Sequence, residues 1–171
     1  FDRYWGDGIF KYIHKRNPSA RIICWYWNSL IHQNVLQSKY RTFCECWSFD
    51  QCDVEKYNLR YNNMFYFLPD KRKIECNMDS FFVGADKGRV LLLREIAGQL
   101  QRLGLRNKFI VISKNCDDTD LLLTYQKDNF DYNEYVKILE DSRCVVEVLQ
   151  EGQRGVTIRA IEALMYEKKL I

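Results

Sequence analysis

The sequence has little proline and little glycine, and its charges nearly cancel. Two of the 171 residues are proline and eight are glycine, whereas 47% are hydrophobic and 15% are aromatic. This composition excludes a disordered chain and provides enough apolar residues for a folded core. The formal net charge is only +3, so the chain lacks the strong positive field that attracts nucleic acid. Any anion must therefore be bound by a local arrangement of charges.

Long apolar runs and paired cysteine motifs are also missing from the sequence. No run approaches the roughly 20 apolar residues that cross a bilayer, and nothing at the start resembles a signal peptide, which favours a soluble intracellular protein. The seven cysteines are odd in number and include no C-x-x-C pair, which favours reduced thiols. Cys44, Cys46 and Cys52 have the wrong spacing for a zinc knuckle, so we interpret them as strand cysteines rather than metal ligands.

What the sequence does have is an alternation of strand and helix patterns, which predicts an α/β fold with Rossmann-like parallel sheets and helices on both faces. The predicted strands are 20–27, 43–49, 64–68, 80–83, 109–113, 144–149 and the start of one at 170–171. The predicted helices are 4–14, a short helix capped by Asp50, 89–103, 132–141 and 155–166. Because 20–27 is apolar on both faces, we expect helices to cover both sides of its sheet and Trp25, Trp27 and Trp47 to lie in the core.

A polar, charged stretch between two strand patterns is the predicted domain boundary. We divide the chain into residues 1–69, a linker at 70–78, and residues 79–171. The charged run Lys71-Arg72-Lys73 lies in the linker. We interpret it as solvated rather than lipid-binding, because three charges without an apolar face bind a membrane weakly.

Two turns lead from a strand into a helix, which is where ligands bind in parallel sheets. The turn at 84–89 carries Lys87 and Arg89 beside two glycines, and the turn at 150–157 carries Gly152 and Gly155 before a predicted helix start. Helix N-termini and guanidinium groups both bind phosphate oxygens. Neither turn matches the dinucleotide fingerprint or the P-loop, which argues against NAD and ATP. The alternative for 84–89 is an ordinary solvent-exposed turn.

The predicted helix at 155–166 has a polar stripe. Gly155, Arg159 and Glu162 are spaced i, i+4 and i+7, while Ile158, Ile161, Leu164 and Met165 are predicted to face the core. The spacing places Glu162 about 10 Å along the helix from Gly155, near the reach from a diphosphate to a ribose. Thr157 adds a hydroxyl donor in the first turn. The alternative is a surface pair between Arg159 and Glu162, with glycines that only shape the loop.

Two segments together resemble a known family. D-S-F-F-V-G-x-D-K-G-R and V-x-Q-x-G-Q-x-G-V-T-x-R-x-x-E-A-L-x-x-x-K-K-L-I are similar to the donor-binding half of bacterial glycosyltransferases of the GT-B fold, the kind found in lipopolysaccharide and capsule biosynthesis. The resemblance covers Asp79 to Ile171, and S-F-D-Q-C-D-V-E-K-Y-N-L at 48–59 resembles the preceding segment more loosely.

The resemblance implies two Rossmann-like domains, of which this chain holds the later part of the acceptor domain and the first part of the donor domain. It implies sugar transfer from a nucleotide-sugar donor to a lipopolysaccharide or capsular glycan or glycolipid acceptor, without metal or cofactor. It also implies a cytoplasmic enzyme able to make peripheral contact with the inner face of the cell membrane. The implied diphosphate-binding residues are Gly84, Lys87, Arg89, Gly155, Val156, Thr157 and Arg159, and Glu162 is the implied ribose-binding residue.

No catalytic base is assigned. Asp7 and His14 are the early titratable candidates, and we interpret both as surface residues of the first helix. Asp117 and Asp118 resemble the metal-binding carboxylates of a different glycosyltransferase architecture, but their neighbours favour a polar loop. Other functions remain open: a non-catalytic nucleotide-binding or partner-binding module, a polyol-phosphate transferase, or a nucleotide-sugar epimerase.

Overall fold

The computed structural model describes residues 7–30, 39–66, 75–114, 119–128 and 130–171. The chain divides into two compact units, each with its own parallel sheet. The first unit is Phe1–Met64 with Glu151–Val156, and the second is Phe65–Gln150 with Thr157–Ile171. The charged run at 71–73 and the Asp117-Asp118 pair lie outside the described residues, as does most of the predicted linker.

The first unit contains a three-stranded parallel sheet in the order β1-β2-β3. Its elements are α1 (Asp7–Arg16), β1 (Ile23–Tyr26), a 3-10 turn (Lys39–Thr42), β2 (Glu45–Ser48), α2 (Gln51–Tyr57) and β3 (Arg60–Tyr61). Asp50 caps α2 as predicted, because its extended backbone lets the carboxylate accept from the Cys52 amide at 2.9 Å. Asn58 ends the helix in the left-handed region, with a φ of 51°.

One face of this first sheet is buried, and the other is half-buried or exposed. Cys24 and Tyr26 point into the core of the unit, whereas Ile23 is 51% exposed and Trp27 is 48% exposed. The prediction that both faces of 20–27 are covered is therefore wrong for the described residues, and Trp27 is not a core residue. Apolar composition alone could not show which of two apolar faces is buried.

The second unit contains a five-stranded parallel sheet in the order β6-β5-β4-β7-β8. Its strands are β4 (Met78–Ala85), β5 (Asn107–Ile112), β6 (Thr124–Gln126), β7 (Ser142–Val145) and β8 (Lys169–Leu170). Its helices are α3 (Val90–Arg102), α4 (Tyr132–Asp141) and α5 (Ile158–Met165). The prediction of 132–141 as a helix is confirmed, whereas β6 was not predicted and residues 64–66 form no strand.

Helices cover both faces of this second sheet. Phe82 and Val111 pack with Leu93 and Ala97 of α3 on one face. The other face, formed by Phe81, Val83 and their neighbours, packs with Tyr135 and Leu139 of α4 and with Ala163 of α5. Alternate residues of β4 thus meet opposite helix layers, which confirms the Rossmann-like α/β class for this unit.

The strand order creates a switch point between β4 and β7. The chain leaves β4 through α3 toward β5 on one side, and it leaves β7 through α5 toward β8 on the other side. Helices that depart to opposite faces leave a crevice at the carboxyl ends of the two strands, where ligands bind in open α/β sheets. No helix in the described ranges combines the length and apolarity that crossing a membrane requires.

Candidate anion-binding site

A tight turn at the carboxyl end of β4 places basic side chains at the switch point. The Gly88 amide donates to Asp86 Oδ1 at 3.0 Å, and the Arg89 amide donates to the Asp86 carbonyl at 2.9 Å. Lys87 and Gly88 both have left-handed φ values, 47° and 78°. Glycine suits the second position, and the Asp side chain closes the turn, so the sequence D-K-G folds locally into this shape.

Gly84, the last residue but one of β4, lets two guanidinium groups approach the strand. A Cβ at this position would lie 2.9 Å from Arg159 Nη2, 3.1 Å from Phe82 Cζ and 3.5 Å from Arg89 Nη2. Both guanidinium groups lie over the Phe82 ring, with Arg159 Cζ at 5.1 Å and Arg89 Cζ at 5.3 Å from its centroid. The ring adds a favourable cation–π contact for each. Gly84 is thus a packing requirement of the cation cluster.

Arg89 is held mainly by backbone carbonyls. Its Nη2 donates to the Ala85 carbonyl at 2.6 Å, its Nε donates to the Asp86 carbonyl at 3.3 Å, and its Nη1 donates to the Val148 carbonyl. These acceptors come from the end of β4, from the residue after it, and from the segment after β7, so Arg89 joins the two sides of the switch point. Carbonyl oxygens orient the guanidinium but leave its full charge in place.

Arg159 is held from α5 by one carboxylate and one carbonyl. Its Nη1 donates to Glu147 Oε1 at 2.7 Å, and its Nη2 donates to the Val83 carbonyl at 2.7 Å. Thr157 donates its hydroxyl to the other carboxylate oxygen of Glu147. These are the hydrogen bonds of Arg159 within the described part of the chain, so three of its five N–H donors remain for a ligand.

The cluster has an excess of positive charge. Lys87, Arg89 and Arg159 carry three positive charges, and the carboxylates of Glu147 and Asp86 act on this group, which leaves a net +1. Burial lowers the pKa of Lys87, and the charges of Arg89 and Arg159 lower it further. Burial likewise lowers the pKa of Arg89, with Arg159 as the next cause. Groups whose charged forms are disfavoured in a cleft are typical of functional sites, because a bound anion relieves the repulsion.

The structure brings together five of the predicted diphosphate-binding residues in the second unit: Gly84, Lys87, Arg89, Thr157 and Arg159. Gly155 and Val156 belong to the first unit. There a Cβ on Gly155 would lie 2.5 Å from Phe49 Cδ2 and 2.7 Å from the Phe49 carbonyl oxygen, so packing against Phe49 demands this glycine.

The predicted helix start at Gly155 is wrong, because α5 begins at Ile158. Thr157 is its cap: the backbone is extended, with a ψ of 162°, and the hydroxyl accepts from the Ala160 amide at 3.3 Å. The predicted core face is also wrong in part, since Leu164 is 74% exposed while Glu162 is buried. The helical spacing from Gly155 to Glu162 therefore does not exist in the structure.

Glu162 lies beneath two tyrosines of α4. It is 2% exposed, and its Oε1 and Oε2 accept from the hydroxyls of Tyr132 at 3.0 Å and Tyr135 at 2.6 Å. Burial raises its pKa, and both tyrosine hydrogen bonds act in the opposite direction. Sequence reasoning missed Tyr132, Tyr135 and Glu147 as parts of the site. The i, i+3 spacing of the tyrosines at the predicted start of α4 was the available signal for the first two.

The other early candidates lie in the first unit. His14 is in α1, with its ring centroid 5.6 Å from that of Phe43, and the side chain of Asp7 is outside the described residues. Cys44 Sγ lies 3.9 Å from Cys46 Sγ, and a hydrogen bond from Cys24 lowers the pKa of Cys46 to about 6. Within the ranges described, no group of three or more His, Cys, Asp or Glu side chains is placed to hold a metal ion.

Comparisons with known proteins give no assignment. No model of a known protein family matches the chain. A search of curated proteins likewise finds no match. The resemblance to glycosyltransferases consequently remains a prediction from the residues of this sequence.

Proposed function

We propose that this chain carries the donor-binding part of a GT-B glycosyltransferase, which moves a sugar from a nucleotide-activated donor to a lipopolysaccharide or capsular polysaccharide acceptor. In this proposal Lys87, Arg89 and Arg159 bind the donor diphosphate. They also stabilise the nucleoside diphosphate as it leaves, because negative charge grows on it when the glycosidic bond breaks. Glu162 belongs to the ribose side of the same site.

The observation that carries the proposal is the crowding of three cations, with the two carboxylates of Glu147 and Asp86, at the switch point of a Rossmann-like sheet. Holding like charges together costs free energy in the absence of an anion, so such a cluster is better explained by binding than by stability. A diphosphate is opposite in charge to the cluster, and the bidentate geometry of a guanidinium suits its oxygens. The sequence resemblance supplies the sugar-transfer chemistry.

Binding is tested by titrating the protein with UDP, GDP and CMP and with inorganic pyrophosphate, using calorimetry. Arg159→Met removes the charge and the donors, and we expect a loss of about 1.5–3 kcal/mol in diphosphate binding, or roughly 10- to 150-fold. Arg143→Met is the matched control, because Arg143 lies near the start of β7, away from the carboxyl end, pairs with Asp79 at 3.5 Å and has a side chain 62% exposed. Equal binding by wild type and Arg159→Met would contradict the proposal.

Catalysis is tested separately on the full-length protein by product analysis. Incubation with nucleotide-sugars and a glycolipid acceptor is expected to release the nucleoside diphosphate and to form a new glycosidic bond. Conversion of the nucleotide-sugar without such a bond would favour an epimerase, and transfer of a polyol phosphate would favour that class of transferase. Nucleotide binding without any product would favour a non-catalytic module.

A further inference from the structure

Both oxygens of the buried Glu162 carboxylate already accept hydrogen bonds from tyrosine hydroxyls. It is 2% exposed, and each oxygen is covered by a tyrosine hydroxyl. A ribose hydroxyl reaches Glu162 directly only if Tyr132 is displaced, since Tyr132 supplies the hydroxyl on Oε1. Of the two tyrosines on Glu162, Tyr132 is the exposed one, at 51%, whereas Tyr135 is buried.

Tyr132 is held rigidly for so exposed a side chain. Its ring stacks on that of Tyr135, with centroids 5.9 Å apart and planes 24° apart. Its hydroxyl donates to Glu162 and lies 3.0 Å from the hydroxyl of Tyr66. Its backbone opens α4, where Asp131 caps the first turn by accepting from the Asn133 and Glu134 amides. A ring fixed on three sides meets a ligand at little entropic cost.

The hydrogen bond to Glu162 also decides what the Tyr132 oxygen offers. A carboxylate only accepts, so the Tyr132 proton lies toward Glu162 and the lone pairs of the hydroxyl oxygen point elsewhere. Since this proton lies toward Glu162, the Tyr132 oxygen accepts from the Tyr66 hydroxyl, and its second lone pair can accept from a ligand hydroxyl. The outward group is thus an aromatic face with an acceptor at its edge, which matches a nucleoside, whose base stacks and whose sugar hydroxyls donate.

The tyrosine network is contiguous with the cation cluster. Arg159 and Glu162 are one turn apart on α5, and side chains three residues apart on a helix are neighbours, about 5–6 Å between Cβ atoms. Burial has the largest effect on the pKa of Glu162 and of Tyr135 and raises both. The positive charge of Arg159 acts in the opposite direction and lowers both. Because the Tyr132 hydroxyl is bonded to Glu162, a ligand with its diphosphate on Arg159 can bring its next group to Tyr132.

We propose that Tyr132 is the residue that contacts the nucleoside of the donor, with Glu162 and Tyr135 as the positioning residues that hold its hydroxyl and its ring. This inference rests on the proposed function, since it assigns the nucleoside part of the same ligand. It differs from direct binding of ribose by Glu162, in which Tyr132 is an obstacle that moves away.

The test compares nucleoside diphosphates with inorganic pyrophosphate on the full chain. Tyr132→Ala is expected to weaken UDP or GDP binding about 5- to 150-fold, the usual contribution of base stacking, and to leave pyrophosphate binding unchanged. Tyr132→Phe keeps the ring and removes the hydroxyl, which is both the acceptor for the ligand and the donor to Glu162, so a smaller loss of about 2- to 12-fold is expected. Tyr12→Ala, at a tyrosine 56% exposed in α1, is the matched control and should change neither affinity.

Two further results decide the role of Glu162. If it acts through Tyr132, Glu162→Gln weakens nucleotide binding in the wild-type background but has no added effect in Tyr132→Phe. Tighter binding by Tyr132→Phe would overturn the inference in favour of an obstacle, and so would wild-type affinity of Tyr132→Ala. In both cases Arg159-dependent pyrophosphate binding leaves the proposed function intact. Failure of the wild type to bind any of these anions overturns both proposals.

Discussion

Replacing Gly84 with alanine is a severe test of the cation cluster, because it adds one methyl group where two guanidinium groups converge. The new Cβ would lie 2.9 Å from Arg159 Nη2 and 3.1 Å from Phe82 Cζ. Phe82 is fully buried in the core beneath α3 and has little room to shift. Arg159 is the more flexible neighbour, so we expect it to move.

Movement of Arg159 has a definite cost. Its Nη2 donates to the Val83 carbonyl at 2.7 Å, and a hydrogen bond from a charged group contributes about 1.5–3 kcal/mol. Overpacking of a core costs about 1–3 kcal/mol on its own. Either Arg159 moves and loses this hydrogen bond, or it stays and the clash remains, so the two costs are not added. We therefore expect Gly84→Ala to lower the free energy of unfolding of the second unit by about 1–3 kcal/mol. Pyrophosphate binding should weaken roughly tenfold, because the displaced Arg159 no longer donates to the anion from the same position.

The two units can be monitored separately. All four tryptophans lie in the first unit, so their fluorescence reports on it, whereas amide hydrogen exchange of β4 and β7 reports on the second. Gly98→Ala is the matched control, since its Cβ would meet only Leu122 Cδ1 at 3.4 Å and alanine favours the helix. Unchanged protection of β4 together with unchanged pyrophosphate binding in Gly84→Ala would refute the convergence of the two arginines at this strand.

Three other changes have expected outcomes. Burial raises the folded-state pKa of Glu162 above the ordinary 4.5. The free energy of unfolding of the wild type should therefore fall as pH rises from about 4.5 through the raised value. Urea unfolding measured across this pH range should show the fall in the wild type and not in Glu162→Gln. Thr157→Ala removes both the cap bond from the Ala160 amide and the hydrogen bond to Glu147, so it should cost at least about 1 kcal/mol in thermal unfolding, with Thr157→Ser restoring most of it. Equal melting of all three proteins would contradict these two roles of the hydroxyl. Burial opposes ionisation of Asp120, yet its hydrogen bonds, including that from Arg94 at 2.8 Å, lower its pKa below 3.8 overall. Its stabilising effect is therefore present above pH 3.8 and lost as pH falls further, and Asp120→Ala should cost about 2 kcal/mol at pH 7 but little in strong acid; a loss independent of pH would contradict this.

Much of the second unit could be predicted from the sequence because local patterns agree with the packing there. The period of apolar residues in 89–103 predicts α3, and Phe81 and Val83 alternate with Ser80 and Phe82 between two helix layers. The glycines and basic residues of 84–89 also indicate the turn that follows β4. β6 was missed because a three-residue strand leaves too short a pattern.

The parts that failed depend on contacts between distant residues. Gly155 is explained by Phe49, more than a hundred positions away, and not by a helix start. Glu162 is buried because Tyr132 and Tyr135 satisfy its oxygens, so a polar residue occupies a position that periodicity assigns to solvent. The exposure of Trp27 likewise depends on which face of the first sheet is covered. The spacing of residues along a single helix or strand does not indicate such contacts.

Amide chemical shifts during a titration with UDP or GDP test the diphosphate site most directly. Binding at the switch point predicts that the largest changes fall on residues 84–89 and 157–159, and that Arg159→Met abolishes them while Arg143→Met does not. Nucleotide-dependent changes confined to other parts of the chain, or no changes at millimolar nucleotide, would contradict a diphosphate site between β4 and β7.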